Sequence, residues 1–333
     1  MPDMSADIAP ARGIKAAAKP VTLSVIIPTF RRAEGLKRAA NSILAQTGTD
    51  GLAIRLIVCD NSPQGCARAT FDNLPVRPGM PAVYIHEPRA GVANARNAAV
   101  AASDADFIAF LDDDEAAPAN WLSRMVAAQA RFGADVVFGP VQARLGDDVV
   151  RYRDYFTGFF SRFGPAESGL LPHYYGCGNS LLKASWLNGP SPFSATQNEM
   201  GGEDDVLFHA LKQRGAVMAW AADAPVWEDV PPQRATLDYT IRRGFAYGQG
   251  PSHSTGMNGR WLACAGWMAQ GVVQALVFGA LSLVALVTRS PSFAFRLDKA
   301  ARGMGKLLWF PPFKMKFYGQ ALLKKALLKK DKT

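Results

Sequence analysis

The chain is poor in the residues that build soft-metal or redox centres. Its four cysteines, Cys59, Cys66, Cys177 and Cys264, include no C-x-x-C pair. Its four histidines, His86, His173, His209 and His253, fall at no ligand spacing, so none is assigned to catalysis. Cys59 sits inside an apolar run and reads as a reduced, buried thiol; nothing here demands an oxidising compartment. Residues 1–20 are rich in Ala and Pro but lack a continuous apolar stretch, which excludes a secretory signal and predicts a disordered leader. The body also lacks an excess of either charge. Residues 289–333 hold twelve Lys/Arg against Asp298 and Asp331, a net +10, which leaves −1 for the rest of a chain whose total is +9. A near-neutral body argues against nucleic-acid binding. A basic tail interleaved with Leu and aromatics points to an anionic membrane surface.

What is present is an α/β pattern. The chain has 333 residues, 49% of them apolar, enough for one large domain with an appendage. Apolar strand-like runs at Leu23–Pro28, Ile54–Asp60, Ala82–His86, Phe107–Leu111 and Asp135–Phe138 alternate with helical patterns at Ala33–Gln46, Gly91–Ala102 and Pro118–Arg131. Such alternation predicts a doubly wound, mainly parallel open sheet. Strands one, two and four end at Thr29, Asp60 and Asp112, and the carboxyl ends of an open parallel sheet converge on one crevice. From 139 to 197 the alternation gives way to an aromatic-rich stretch, read as an irregular subdomain that also walls an acceptor site. Further elements are predicted at Glu203–Arg214, Val217–Trp220, Pro225–Trp227 and Leu237–Tyr247. The divisions expected are a leader (1–20), a catalytic domain (21–250) and a membrane-associated helical and basic tail (251–333).

Residues 261–288 carry no charge and are long enough to cross a hydrocarbon core of about 30 Å. Gln270, Gln274 and three glycines interrupt them, however. A single span would also put the +10 tail on the side opposite the body, against the positive-inside bias. A re-entrant segment, or helices lying in the interface plane, keeps both on one side. The paired Leu and Lys residues of 321–330 have the pattern of an interfacial amphipathic helix.

Three adjacent carboxylates, Asp112-Asp113-Asp114, close the apolar run Phe107–Leu111. Adjacent acids raise the cost of ionising one another, and a cation between them relieves it. A divalent metal facing a phosphate-bearing substrate is therefore the working expectation; a solvated turn before the next helix is the bland alternative. A second acidic trio, Glu203-Asp204-Asp205, opens a helix where backbone N–H groups favour carboxylates.

The strings LSVIIPTF (23–30), LIVCDNS (56–62), GVANARNAA (91–99), FIAFLDDDE (107–115) and GGEDD (201–205) occur in that order. Together they resemble the family-2 inverting glycosyltransferases of the GT-A fold, over roughly residues 23–247. WEDVPPQRAT (227–236) and the membrane-seeking end resemble bacterial exopolysaccharide glycosyltransferases of the succinoglycan type. The resemblance implies that Pro28 and Thr29 line the nucleotide pocket and that Asp60 accepts from the base. It implies that Arg96 holds the diphosphate or base rim. Asp112 would contact the ribose and Asp114 the Mg²⁺ or Mn²⁺ that bridges the phosphates, with Asp113 assisting either. Asp204 would be the general base, Asp205 its competitor. Gly178, Asn179, Gly202 and Glu203 would shape the acceptor or donor-sugar pocket, and Arg234 and Arg243 are candidates for the diphosphate. Where many relatives carry a His near 227–229, this chain has Glu228, which weakens the expected metal shell.

The function so implied is transfer of a sugar from a nucleotide-sugar, a UDP-sugar by expectation, to a polyprenyl-linked or other membrane acceptor. The expected location is the cytoplasmic face of the bacterial inner membrane. Two alternatives stay open. A nucleotidyltransferase would also gather acids at strand ends, but no Gly-rich, Lys/Arg-bearing phosphate loop follows strand one. A non-catalytic scaffold of a polysaccharide-assembly complex has no need of both acidic sets.

Overall fold

The computed structural model describes residues 20–189, 191–197 and 202–315. The leader before residue 20 and the Leu/Lys-patterned segment 321–330 lie outside the described residues. The first half alternates as expected: β1 (Val21–Thr29), α1 (Ala33–Leu44), β2 (Leu52–Asp60), α2 (Arg68–Asp72), β3 (Ala82–His86), α3 (Val92–Ala101) and β4 (Phe107–Phe110). There follow β5 (Glu115–Ala116), α4 (Trp121–Phe132), β6 (Val136–Phe138), β7 (Val141–Arg144), α5 (Arg153–Phe160), β8 (Gly169–Leu170) and β9 (Ser180–Lys183). The chain continues through α6 (Glu203–Gln213), β10 (Met218–Trp220), β11 (Val226–Asp229), α7 (Leu237–Met257), α8 (Trp261–Val287) and α9 (Phe293–Leu307).

Eight strands form one sheet in the order β3-β2-β1-β4-β9-β6-β10-β8, and β5-β11-β7 form a second. β3, β2, β1 and β4 run parallel, as do β6 and β10, while β9 lies antiparallel between β4 and β6. Side chains alternate across the sheet. Val25, Ile27 and Val58 pack against α1 and α4, whereas Ile26, Ile57 and Cys59 pack against α3 and α6. Each fully buried aliphatic side chain contributes about 1.5–3 kcal/mol. Two apolar layers therefore clamp a sheet that reads in sequence as uninterrupted hydrophobic runs. Pro28 stands inside β1 without breaking the sheet. The β1–β4 register ends at Ile26–Phe110, so the missing N–H of Pro28 faces a side where the ladder has already stopped.

Two departures from sequence expectation have physical causes. The stretch 139–197 is not wholly irregular: it supplies β9 to the middle of the sheet and the aromatic helix α5. β9 is only SLLK, too short to show a period and antiparallel, so no crossover announces it. Helix α7 runs to Met257 rather than ending near Tyr247, and so crosses position 250 without a break. Its Gly244, Gly248, Gly250 and Pro251 argue against helix locally, but close packing overrides them. A Cβ on Gly248 would collide with the Arg302 carbonyl oxygen of α9.

Candidate active site

Thr29 and Asp60, the last residues of β1 and β2, stand opposite one another in the parallel register. Just past β4, Asp113 reaches across to β1: its Oδ2 accepts from the Thr29 hydroxyl at 2.9 Å and from the Phe30 N–H at 3.3 Å. The strand ends do converge. Arg32, in the loop after β1, donates to Asp113 at 2.7 Å and to Asp114 at 2.6 Å. Burial outweighs the opposing pull of the Arg32 guanidinium and leaves the Asp113 carboxyl pushed up to about 6. Arg234 approaches Asp114 at 3.4 Å, whereas Arg243 stacks over the Tyr247 ring.

Asp60, whose expected role is to accept from the nucleotide base, is engaged by its own loop in this structure. It is fully buried, and it accepts from the Ser62 N–H and hydroxyl, the Ala67 N–H and the Tyr84 hydroxyl at 2.6–2.9 Å. These bonds occupy a carboxylate's usual complement of acceptor positions. Asp60 thus holds the β2–α2 loop in shape from beneath. Asn179 is likewise internal. Its Oδ1 accepts from the Trp121 indole, and its amide donates to the Pro140 and Ala224 carbonyls, so it ties β9 to its surroundings rather than lining a pocket.

Arg96 on α3 is the central connector. One guanidinium nitrogen donates to Glu203 Oε1 at 2.5 Å and another to Asp112 Oδ1 at 3.1 Å, while the group lies 5.6 Å from the Phe193 ring centroid. A rigid fork suits this bridge between two carboxylates. The first acid of the Asp112–Asp114 triplet is thereby joined to the first acid of α6. Glu203 is buried, and burial raises its pKa against the pull of Arg96. Gly202, with φ +91, opens α6 in the left-handed region and so turns Glu203 inward. Asp204 is half-buried, and its Oδ2 accepts from the Cys177 N–H at 3.0 Å. The Cys177 thiol is buried and its pKa is pushed up by that burial, so it stays protonated and offers no nucleophile.

Three functional groups escape sequence reasoning: Arg32, described above, Arg162 and Glu115. Arg162, just after α5, donates to the carbonyl oxygens of Gly139, Gly176 and Gly178. It pins the 176–179 loop whose Cys177 N–H holds Asp204. Desolvation lowers its pKa while Glu115, Asp112 and Asp204 raise it. A lone arginine among aromatics carries no motif, and no sequence signal would have singled it out. Glu115, buried, accepts from the Asp112 N–H at 2.9 Å; burial and the Asp112 charge raise its pKa well above the ordinary value. Gly178 faces both acids: a Cβ there would lie 2.7 Å from Glu115 Oε1 and 2.8 Å from Asp112 Oδ2. Glu228 on β11 is pushed up to about 8, first by burial and then by the Asp114 charge, against Arg234. Among the described residues no group of three or more His, Cys, Asp or Glu stands in ligating geometry.

A mainly parallel sheet that gathers acids and arginines at its strand ends gives a GT-A-like α/β fold. The glycosyl transferase family 2 model matches residues 24–188. The succinoglycan biosynthesis protein ExoM of Rhizobium meliloti is 34% identical over 232 residues, covering 68% of this chain and 73% of that protein. A pre-mycofactocin glycosyltransferase of Mycobacterium tuberculosis is 27% identical over 233 residues, covering 67% of this chain and 45% of that protein. A crystal structure of S. aureus TarS 1–349 in complex with UDP is similar at TM-score 0.47 and 13% identity, over 86% of this chain and 89% of that one. The chain belongs to glycosyl transferase family 2 and is a glycosyltransferase related to exopolysaccharide-biosynthesis enzymes.

Proposed function

We propose that the chain transfers a sugar, with inversion, from a UDP-sugar to a lipid-linked oligosaccharide acceptor in bacterial exopolysaccharide synthesis, at the cytoplasmic face of the inner membrane. The observation that carries this reading is the joined set Asp112–Arg96–Glu203, with Asp204 beside it on α6. The acceptor class follows the likeness to a succinoglycan biosynthesis protein and the 27-residue helix α8, whose length and composition would suffice to cross a membrane. The donor follows the family resemblance.

Asp204 is the general base. It takes the proton of the acceptor hydroxyl while that oxygen attacks the anomeric carbon, and the nucleoside diphosphate leaves from the opposite face. The Cys177 N–H holds the other end of the reaction in register by fixing one Asp204 oxygen. Asp112, Asp113 and the Thr29 strand end form the nucleotide side, over the loop that Asp60 organises.

The donor set suits a hard cation, Mg²⁺ or Mn²⁺, because it offers carboxylate oxygens with Asp114 and Glu228 repelling one another. Burial favours the protonated forms of Glu115 and Glu228, yet Asp112, Asp113, Asp114, Glu203 and Asp204 still offset Arg32, Arg96, Arg162 and Arg234, so the site has no net positive charge of its own to offer an anionic diphosphate. Asp114 and Glu228 would supply the protein's share of a shell completed by phosphate and water. When bound, such an ion neutralises charge developing on the leaving diphosphate.

The test uses the full chain with sugar nucleotides, Mg²⁺ or Mn²⁺ and a lipid extract, and measures nucleoside diphosphate release. Sugar-dependent UDP release that Asp204→Asn abolishes supports the reading. Pyrophosphate release would instead indicate nucleotidyl transfer, and no turnover with any donor would leave a scaffold.

A further inference from the structure

Helix α8 has two unlike faces. Leu262, Val273, Leu276, Leu283 and Val287 project together and are exposed, Leu262 by 92%, Leu276 by 69% and Val287 by 83%. Cys264, Gly271, Ser282 and Ala285 form the opposite, buried stripe, which packs on α9. The contact is close: a Cβ on Gly271 would lie 2.7 Å from the Gly303 carbonyl oxygen.

The partner helix is charged along the whole contact. Arg296 donates to the Leu281 carbonyl at 3.1 Å, and Gln274 donates to the Lys299 carbonyl at 2.8 Å. Lys306 donates to Gln270 and to Gln274, each at 2.8 Å. Gln274 is the midpoint of α8, so a membrane-crossing α8 would hold the Lys306 ammonium near the bilayer centre, where charge is strongly disfavoured. The far side of α9 is fixed to the body. Phe295 meets Tyr155 edge-on at 5.3 Å, and the Arg302 guanidinium lies over Phe159 and Tyr247. A span would drag these groups into lipid as well.

We propose that α8 lies flat in a single leaflet of an anionic bilayer, its outward face sunk to the boundary between headgroups and acyl chains, with α9 as the polar buttress between lipid and catalytic body. This rests on the membrane-borne acceptor proposed above and specifies how the chain reaches it. Charge selects the occupant. Arg260 and Arg289 flank the two ends of α8, Lys299 and Arg296 run beside it, and residues 289–333 carry a net +10. Trp261, exposed, and Trp267 stand near one end, as amphipathic rings do at membrane interfaces. A second copy of the chain would bring like charges together, whereas anionic headgroups neutralise them.

The test places a fluorescent thiol reporter singly at Leu262→Cys, Leu276→Cys or Val287→Cys in the full chain, with exposed Cys66 changed to Ser. The protein is bound to vesicles of phosphatidylglycerol and phosphatidylcholine carrying nitroxides at shallow or deep acyl positions. The flat helix gives equal, shallow quenching at all three sites, with all three open to an aqueous quencher added outside. A deep Leu276 site with one end shielded from that quencher overturns the proposal in favour of a span. Absence of lipid quenching, whether the protein is monomeric or dimeric by light scattering, overturns it too. The double variant Val273→Glu/Leu276→Glu changes only exposed positions and is expected to weaken vesicle binding at least about tenfold; unchanged binding overturns the proposal. Nucleoside diphosphate release in detergent reports separately on the transferase reading, so either can fail without the other.

Discussion

In the catalytic body Arg96, Asp113, Glu115 and Glu203 are buried among one another, whereas along α8 Leu262, Val273, Leu276 and Val287 face outward. Ordinary soluble domains do the reverse in both respects. Buried charge is tolerable only when paired and hydrogen-bonded; Arg96 pairs with Glu203 and Asp112, and Asp113 with Arg32, although the Arg96 Nε has no hydrogen-bond partner among the described residues. The helical unit turns its hydrogen bonds inward, Lys306 to Gln270 and Gln274, and leaves its apolar side uncovered. Under the two proposals above, each inversion matches its partner: a charged substrate for one region, an apolar medium for the other.

The largest expected effect breaks the body's side of this contrast. Asp204→Asn removes the proposed base while keeping the Cys177 contact isosteric, and should lower initial rates of nucleoside diphosphate release by about 10³-fold. Arg162→Met strips donors from the carbonyls of the 176–179 loop and a counter-charge from Glu115. We expect about 2–3 kcal/mol lost in denaturant unfolding, with activity falling alongside; Arg162→Lys should recover part of both. Gly178→Ala pushes a methyl against Asp112 and Glu115, and should raise the donor KM severalfold with Tm nearly unchanged. The smallest effect sharpens the other region. Lys306→Met removes one ammonium from the α8–α9 contact, which should change stability by less than about 1 kcal/mol. If α8 crossed the bilayer, the same change would strengthen insertion by about 3 kcal/mol, as read by vesicle partition.

Much of the body was legible in sequence because its strands are clean apolar runs that stop at Thr29, at Asp60 and, two residues past Phe110, at Asp112, each a polar or acidic residue at the carboxyl end of the sheet. Convergence of those ends needed only the parallel topology. The wiring of the site was less legible. Arg96 was read as a ligand contact, but it bridges Asp112 to Glu203, because only the folded chain brings α3 against α6. The resemblance makes Asp60 and Asn179 pocket residues; in the structure their polar atoms bond within the protein. Arg32 follows strand one beside three distant acids, a signal readable once the strands are placed. The continuation of α7 past Tyr247 could not be seen locally, since its glycines look like breakers until α9 lies against them.

The edge contact of Phe295 with Tyr155 has a geometric consequence. α9 is clamped between α7 and α8 and pressed on α5, so the body stands on a pedestal rather than swinging on a tether. If α8 rests on a membrane as proposed, the crevice is held at one elevation above it. Such a mount would act as a gauge. A lipid-anchored acceptor hydroxyl too near its anchor would fall below the crevice and one too far would pass above it, so reach would join pocket shape in selecting the acceptor.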